Sequence, residues 1–221
     1  MSAGLGAGPA TAVLVSGSGT NLQAIIDQVQ KGHLRIRLAA VLSDVPDAYG
    51  LERARAAGIP TVTVNYRDFP DRPAAEQALG RALATVDPEI VVLAGFMRIL
   101  PDAIVESYPG CMLNVHPSLL PKFRGLHTYE RVLAAGDAWH GTTVHFVVPE
   151  LDAGPAILQY RVAVRPGEDA DSLRARVQAG EYLVYPQVIG WLASGRLTLR
   201  DGGAWLDGTP LAAPVQVDEV Q

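Results

Sequence analysis

Four short apolar runs, each handing over to a segment of helical spacing, constrain this chain more than anything else in it. TAVLVS (residues 11–16), LRIRLAAVLS (34–43), IPTVTVN (59–65) and EIVVLAGF (89–96) are rich in β-branched residues. Between them lie NLQAIIDQVQKG, YGLERARAAG and PAAEQALGRALATV. In the first of these, Leu22, Ile25, Ile26 and Val29 fall on one helical face. Gly58 stands where a helix would end, and Pro73 where one would begin. Strands alternating with helices predict βαβ units and a parallel sheet. The near-continuous apolar run 89–96 is what such a sheet needs when both its faces are covered.

The second half changes character. CMLNVH (111–116) reads as a strand, followed by the loop SLLPKFRGLH and a helix over 128–135. HGTTVHFVV and AILQYRVAV alternate, which predicts two strands, antiparallel or otherwise, joined through PELDAGP. A long helix running to Gly195 is expected to be interrupted or bent near Pro186, and RLTLR with AWLDG reads as a closing hairpin. The organisation expected is a loose extension over residues 1–10, one domain over 11–210 and a tail over 211–221. The length of 221 residues suits that division.

Composition excludes several functions. Hydrophobic residues make up 48% and charged residues 19%, enough for a sizeable core. The net charge of −5, from 18 basic and 23 acidic residues, argues against a sequence-independent grip on nucleic acid. No apolar run is long enough to span a bilayer. The opening residues lack the basic and apolar regions of a signal peptide. One cysteine, Cys111, rules out an intramolecular disulfide and a cysteine-based zinc site, and points to a reducing, cytoplasmic compartment. His127, His140 and His145 have no HExxH-type spacing with one another or with His116, so no metal is expected.

Three stretches carry candidate chemistry. In VLVSGSGTNLQAI a strand passes through Ser-Gly-Ser-Gly-Thr-Asn directly into a helix, whose first N–H groups are unpaired and suited to an anion. It lacks the lysine of a Walker loop and the third glycine of GxGxxG, and it also reads as a tight turn capped by Thr20 or Asn21. In LNVHP, Asn114 and His116 are two apart and so share a face of a strand that Pro117 stops. An amide donor beside a titratable imidazole is what acyl transfer through an oxyanion needs; two residues capping strand-end backbone is the plainer alternative. In PELDAGPAI, Asp152 is either ordinary turn chemistry or a carboxylate brought to His116 to orient it. VLAGFMRIL can wall an apolar slot for a flat ring or simply end a strand. Cys111, in an apolar run, reads as packing.

Together SGSGTNLQAI, VLAGFMRIL, LNVHPSLLPKFRGLHT, HGTTVHFVVPELDAGPAILQ and AWLDG resemble the folate-dependent formyltransferases, in the family's order and over nearly all of 11–208. The resemblance implies an α/β formyltransferase fold, with a Rossmann-like parallel N-terminal half continued into a mixed central sheet flanked by helices. It implies transfer of the formyl group of 10-formyltetrahydrofolate, as co-substrate and without metal, to the amine of phosphoribosylglycinamide. It implies Asn114, His116 and Asp152 as the catalytic trio. Gly19, Thr20 and Asn21 would meet the ribonucleotide phosphate and Glu181 the glycinamide. Arg72, Met97, Arg98, Ile99, Leu100 and Asn114, with Val148, Pro149, Glu150, Leu151 and Asp152, would line the folate pocket. The loop 122–127 is expected to order on substrate binding. Partners are these two small molecules, in a monomer or homodimer. Relatives that formylate initiator tRNA usually add a C-terminal RNA domain and relatives that hydrolyse formyl folate an N-terminal regulatory one; neither is expected here. A catalytically silent binding module on the same fold is a third reading, and retention of the trio argues against it.

Overall fold

The computed structural model describes residues 5–219. The chain forms two compact units, one ending at Leu113 and the other beginning at Asn114, where a single domain is expected. In the first, β1 (Leu5–Gly6), β2 (Ala10–Val15), α1 (Thr20–Gln30), β3 (Arg37–Ser43), α2 (Tyr49–Ala56), β4 (Thr61–Thr63), α3 (Arg72–Val86), β5 (Ile90–Leu93) and α4 (Asp102–Glu106) follow in order. The strand β6 (Met112–His116) closes this unit with two residues and opens the next with three.

β2 pairs in parallel with β3 on one side and β5 on the other, and β4 extends β3 in parallel. Every residue of β2 and β5 is buried, which is why both read as unbroken apolar runs. The predicted face of α1, Leu22, Ile25, Ile26 and Val29, is its buried face. Each such side chain contributes roughly 1.5–3 kcal/mol by leaving water. α3 begins as its sequence demands: Asp71 Oδ1 accepts the Ala74 N–H at 2.8 Å, and Pro73 stands in the first turn, where its missing N–H costs nothing.

The register sets Val15 beside Ser43 and Leu14 beside Leu93, so the carboxyl ends of β2, β3 and β5 share one edge. The glycine-rich loop leaves from that edge, as do Asp44 and the turn after β5.

The second unit contains α5 (Thr128–Ala135), β7 (Trp139–Phe146), β8 (Ala156–Ala163), α6 (Ala170–Ala193), β9 (Leu197–Arg200), β10 (Gly203–Leu206), β11 (Thr209–Pro210) and β12 (Val215–Asp218). β7 and β8 are antiparallel, and α6 packs on both. β9, β10 and β11 form a small antiparallel sheet, the predicted hairpin with one added strand.

Several expectations differ from the observed fold. Leu5–Gly6 pairs with β3, and Ala10 already belongs to β2, so residues 5–10 are tied to the sheet; residues 1–4 lie outside the described residues. In the expected tail, Val215–Asp218 pairs in parallel with β8, held by a two-point ion pair of Arg161 with Asp218 at 2.7 and 3.0 Å. α6 continues from Ala170 to Ala193 with Pro186 inside it, so the helix is not interrupted there. The strand predicted over 89–96 is paired only from Ile90 to Leu93, and Gly95 leaves it with φ 77°.

Candidate active site

β6 delivers Asn114 and His116 to its carboxyl end, as the two-residue spacing predicts, and the hydroxyls of β7 hold the chain just beyond it. The Thr142 hydroxyl donates to the His116 carbonyl at 2.9 Å, and the Thr143 hydroxyl to the Ser118 carbonyl at 2.7 Å. Gln159 on β8 donates to the Leu120 carbonyl at 2.9 Å. These buried bonds hold 116–120 against the strands, and they explain the polar residues inside an otherwise apolar alternation.

The turn after β7 brings Asp152 to His116. Its Oδ2 lies 3.5 Å from His116 Nδ1, an ion-pair distance, and both side chains are 7% exposed. Asp152 sits at φ 50°, a left-handed conformation that aspartate tolerates better than most residues. Gly154 allows the approach, since a Cβ there would lie 1.8 Å from the Phe146 carbonyl oxygen. The contact between the strand-end imidazole and the turn carboxylate, which spacing alone leaves open, is therefore made.

His145 joins these groups although its spacing gives it no role. Its Nδ1 faces the Phe146 carbonyl at 2.8 Å, so that nitrogen carries the proton and donates. Burial pushes the imidazole pKa down to about 4, and the bond to the Phe146 carbonyl and then the neighbouring Asp152 charge only partly offset this. At neutral pH His145 is thus uncharged, with a bare Nε2, 3.2 Å from Asn114 Nδ2. A bare nitrogen accepts, so the amide must present N–H to it. Asn114 is thereby fixed with its second amide hydrogen available. The only sequence signal for this is parity: Thr143 and His145 alternate along β7.

The loop 122–127 lies over His116. His116 Nε2 donates to the Phe123 carbonyl at 3.0 Å, and the Gly125 N–H donates to Asp152 Oδ2 at 2.9 Å. Arg124 pairs with Glu150 at 2.7 Å. Phe123 and His127 take positive φ, 56° and 59°.

Glu181 is buried on α6; burial, and then its carboxylate, push the Tyr129 phenol up. Val148 is half-buried, while Pro149, Glu150 and Leu151 are exposed.

In the first unit, Gly19 caps α1 at φ 67° with no side-chain cap, so neither Thr20 nor Asn21 serves as the cap; both lie in the first helical turn. No acidic side chain stands in that turn, and Arg53 Nε donates to the Ser18 carbonyl at 2.8 Å, so the loop carries a cation beside the positive end of the helix. Met97 and Ile99 are 69% and 54% exposed, whereas the Leu100 side chain is buried and could line a pocket only through its backbone. Arg98 pairs with Asp44 and stacks on Tyr66, and Arg72 donates to the Ile99 carbonyl at 3.3 Å. Among the described residues no group of three or more His, Cys, Asp or Glu is placed to hold a metal ion, and no helix is long and apolar enough to cross a membrane.

Residues 10–189 match the family model described as formyl transferase. The chain is 51% identical to the phosphoribosylglycinamide formyltransferase of Escherichia coli strain K12, over 90% of this chain and 94% of that one. The solved phosphoribosylglycinamide formyltransferase of Coxiella burnetii superposes with a TM-score of 0.90 at 48% identity, covering 95% of this chain and 99% of that one. A glycinamide ribonucleotide transformylase from Symbiobacterium toebii superposes with a TM-score of 0.86 at 42% identity, covering 90% and 93%.

Proposed function

The chain belongs to the formyl transferase family, and on that premise we propose how it acts: it moves the formyl group of 10-formyltetrahydrofolate to the amine of phosphoribosylglycinamide, a step of purine synthesis, by direct attack. The observation that carries the mechanism is the oriented Asn114 amide beside the His116–Asp152 pair.

The neutral amine attacks the formyl carbon. A C–N bond forms, and the carbonyl π electrons move onto oxygen. The free Asn114 N–H and the Nε2–H of protonated His116 donate to that oxyanion, each worth roughly 3 kcal/mol of barrier on the scale of a lost oxyanion donor. Asp152 keeps the imidazole turned towards the reacting atoms. The oxyanion then re-forms the carbonyl, the bond to folate N10 breaks, and N10 takes a proton while the new amide nitrogen loses one. His116 is the proton carrier. No covalent enzyme intermediate arises. Because Phe123 now accepts the Nε2–H, the loop 122–127 moves when substrate oxygen takes that place. Gly19, Thr20 and Asn21 meet the phosphate; Glu181 meets the glycinamide; Arg72, Met97–Leu100 and Val148–Asp152 meet folate. The single cysteine fits a cytoplasmic protein, and monomer and homodimer both fit the proposal.

The test is a transfer assay with both substrates, following tetrahydrofolate release by absorbance. Release that requires the phosphoribosyl amine is expected. Release without it would make the chain a hydrolase, and no release would leave a silent binding module.

A further inference from the structure

Asp44 is a carboxylate in an expensive place. It follows β3 directly, and its side chain is 5% exposed. A buried carboxylate is tolerated only where donors meet it. Ordinary strand-end needs are not what Asp44 serves, because the Ser43 hydroxyl already takes the Val45 N–H at 3.0 Å. Its own partners are distant in sequence. Oδ1 accepts the Ser16 hydroxyl at 2.5 Å, and Oδ2 accepts Arg98 Nε at 2.6 Å.

Both partners lead to the turn after β5. Ser16 Oγ accepts the Met97 N–H at 2.9 Å, and the Ser16 N–H donates to the Gly95 carbonyl at 3.1 Å. Arg98 lies with its guanidinium 3.8 Å from the centre of the Tyr66 ring, so it is held between a carboxylate and an aromatic face. Met97 and Arg98 are thus pinned through two side chains that Asp44 orients, Gly95 is held by the Ser16 backbone beside them, and the apolar side chains of Met97 and Ile99 are left pointing into solvent. Exposed apolar side chains on so tightly held a turn suit a flat, partly apolar ligand.

We propose that Asp44 is a positioning residue for the formyl donor: acting through Ser16 and Arg98, it sets the turn 95–100 in the shape that the folate ring system meets. This rests on the folate reading above. Asp44 touches no substrate. Its loss loosens the turn and weakens folate while leaving the transfer chemistry and the phosphoribosyl substrate alone.

The experiment compares wild type, Asp44→Ala, Asp44→Asn and Ser16→Ala in calorimetric titrations with tetrahydrofolate and in steady-state kinetics varying each substrate. Asp44→Ala should raise the folate Kd and KM about tenfold, the scale of one lost charge-assisted bond. Its kcat and the KM for the phosphoribosyl amine should stay within about twofold. Asp44→Asn should recover part of the loss, since its carbonyl accepts from Arg98 and its amide can donate to Ser16. Ser16→Ala, which keeps the Asp44–Arg98 pair, should lose protection of the Met97 N–H in hydrogen exchange and weaken folate, and it serves if Asp44→Ala does not fold. If wild type binds no folate, the reading of the site falls. If wild type binds and the variants bind equally well, or if both KM values rise together with a lower Tm, the positioning role is overturned.

Discussion

Replacing His145 by leucine tests the least expected part of the site. The substitution keeps apolar volume and removes the nitrogen that accepts from Asn114. The lost contact is a neutral hydrogen bond of 3.2 Å, worth about 1 kcal/mol net, and that is what fixing the amide contributes. One kcal/mol is about a fivefold loss in kcat. Removing the amide itself, by Asn114→Ala, deletes an oxyanion donor worth roughly 3 kcal/mol, or about a hundredfold in rate. An orienting role exerted through Asn114 requires that the double variant be no slower than Asn114→Ala alone. Independent roles would multiply to about five hundredfold. The assay is single-turnover tetrahydrofolate release at saturating substrates, with both KM values measured alongside. Losses that multiply, or a His145→Leu enzyme as fast as wild type, would refute the orienting role.

Stability should fall in mild acid. His140 and His145 are held down to about 4 by burial, against 6.5 in the unfolded chain. Both are neutral in the fold, so their contribution is whole above pH 6.5 and is lost as pH drops towards 4, by up to about 3 kcal/mol for each. Urea unfolding between pH 7 and 5 should show it, and His145→Leu should flatten the slope; a level profile in wild type would contradict the two neutral imidazoles. Gly154→Ala should cost at least several kcal/mol or prevent folding, since no Cβ fits 1.8 Å from the Phe146 carbonyl oxygen; a normal Tm would show that the turn relaxes easily. Gly19→Ala meets Gly50 Cα at 2.5 Å and a φ of 67°, so it should raise the KM for the phosphoribosyl substrate more than that for folate. Equal effects would separate that loop from the phosphate.

How much of this could be read from the chain depends on how local each cause is. The buried face of α1 and the period-2 placement of Asn114 and His116 are properties of neighbouring residues, and both are visible in the sequence. The His116–Asp152 contact joins a strand end to a distant turn; the residue types allow it beside ordinary turn chemistry, and spacing alone does not decide between them. His145 and Asp44 escape a sequence reading for one reason: each matters through a partner 28 or more residues away, and no periodicity reports register between strands. β12 escapes it because four residues after Pro214, two half-buried and two exposed, carry too little apolar signal, although pairing with β8 is enough to order them. α4, five residues long, is shorter than any pattern that spacing can detect.

The decisive measurement is the turnover of His116→Ala and Asp152→Asn beside their affinity for phosphoribosylglycinamide. Turnover should drop by about a hundredfold or more in each while the calorimetric Kd for that substrate holds. Two variants that still release tetrahydrofolate at the wild-type rate would mean that the strand-end imidazole and the turn carboxylate do not carry the transfer.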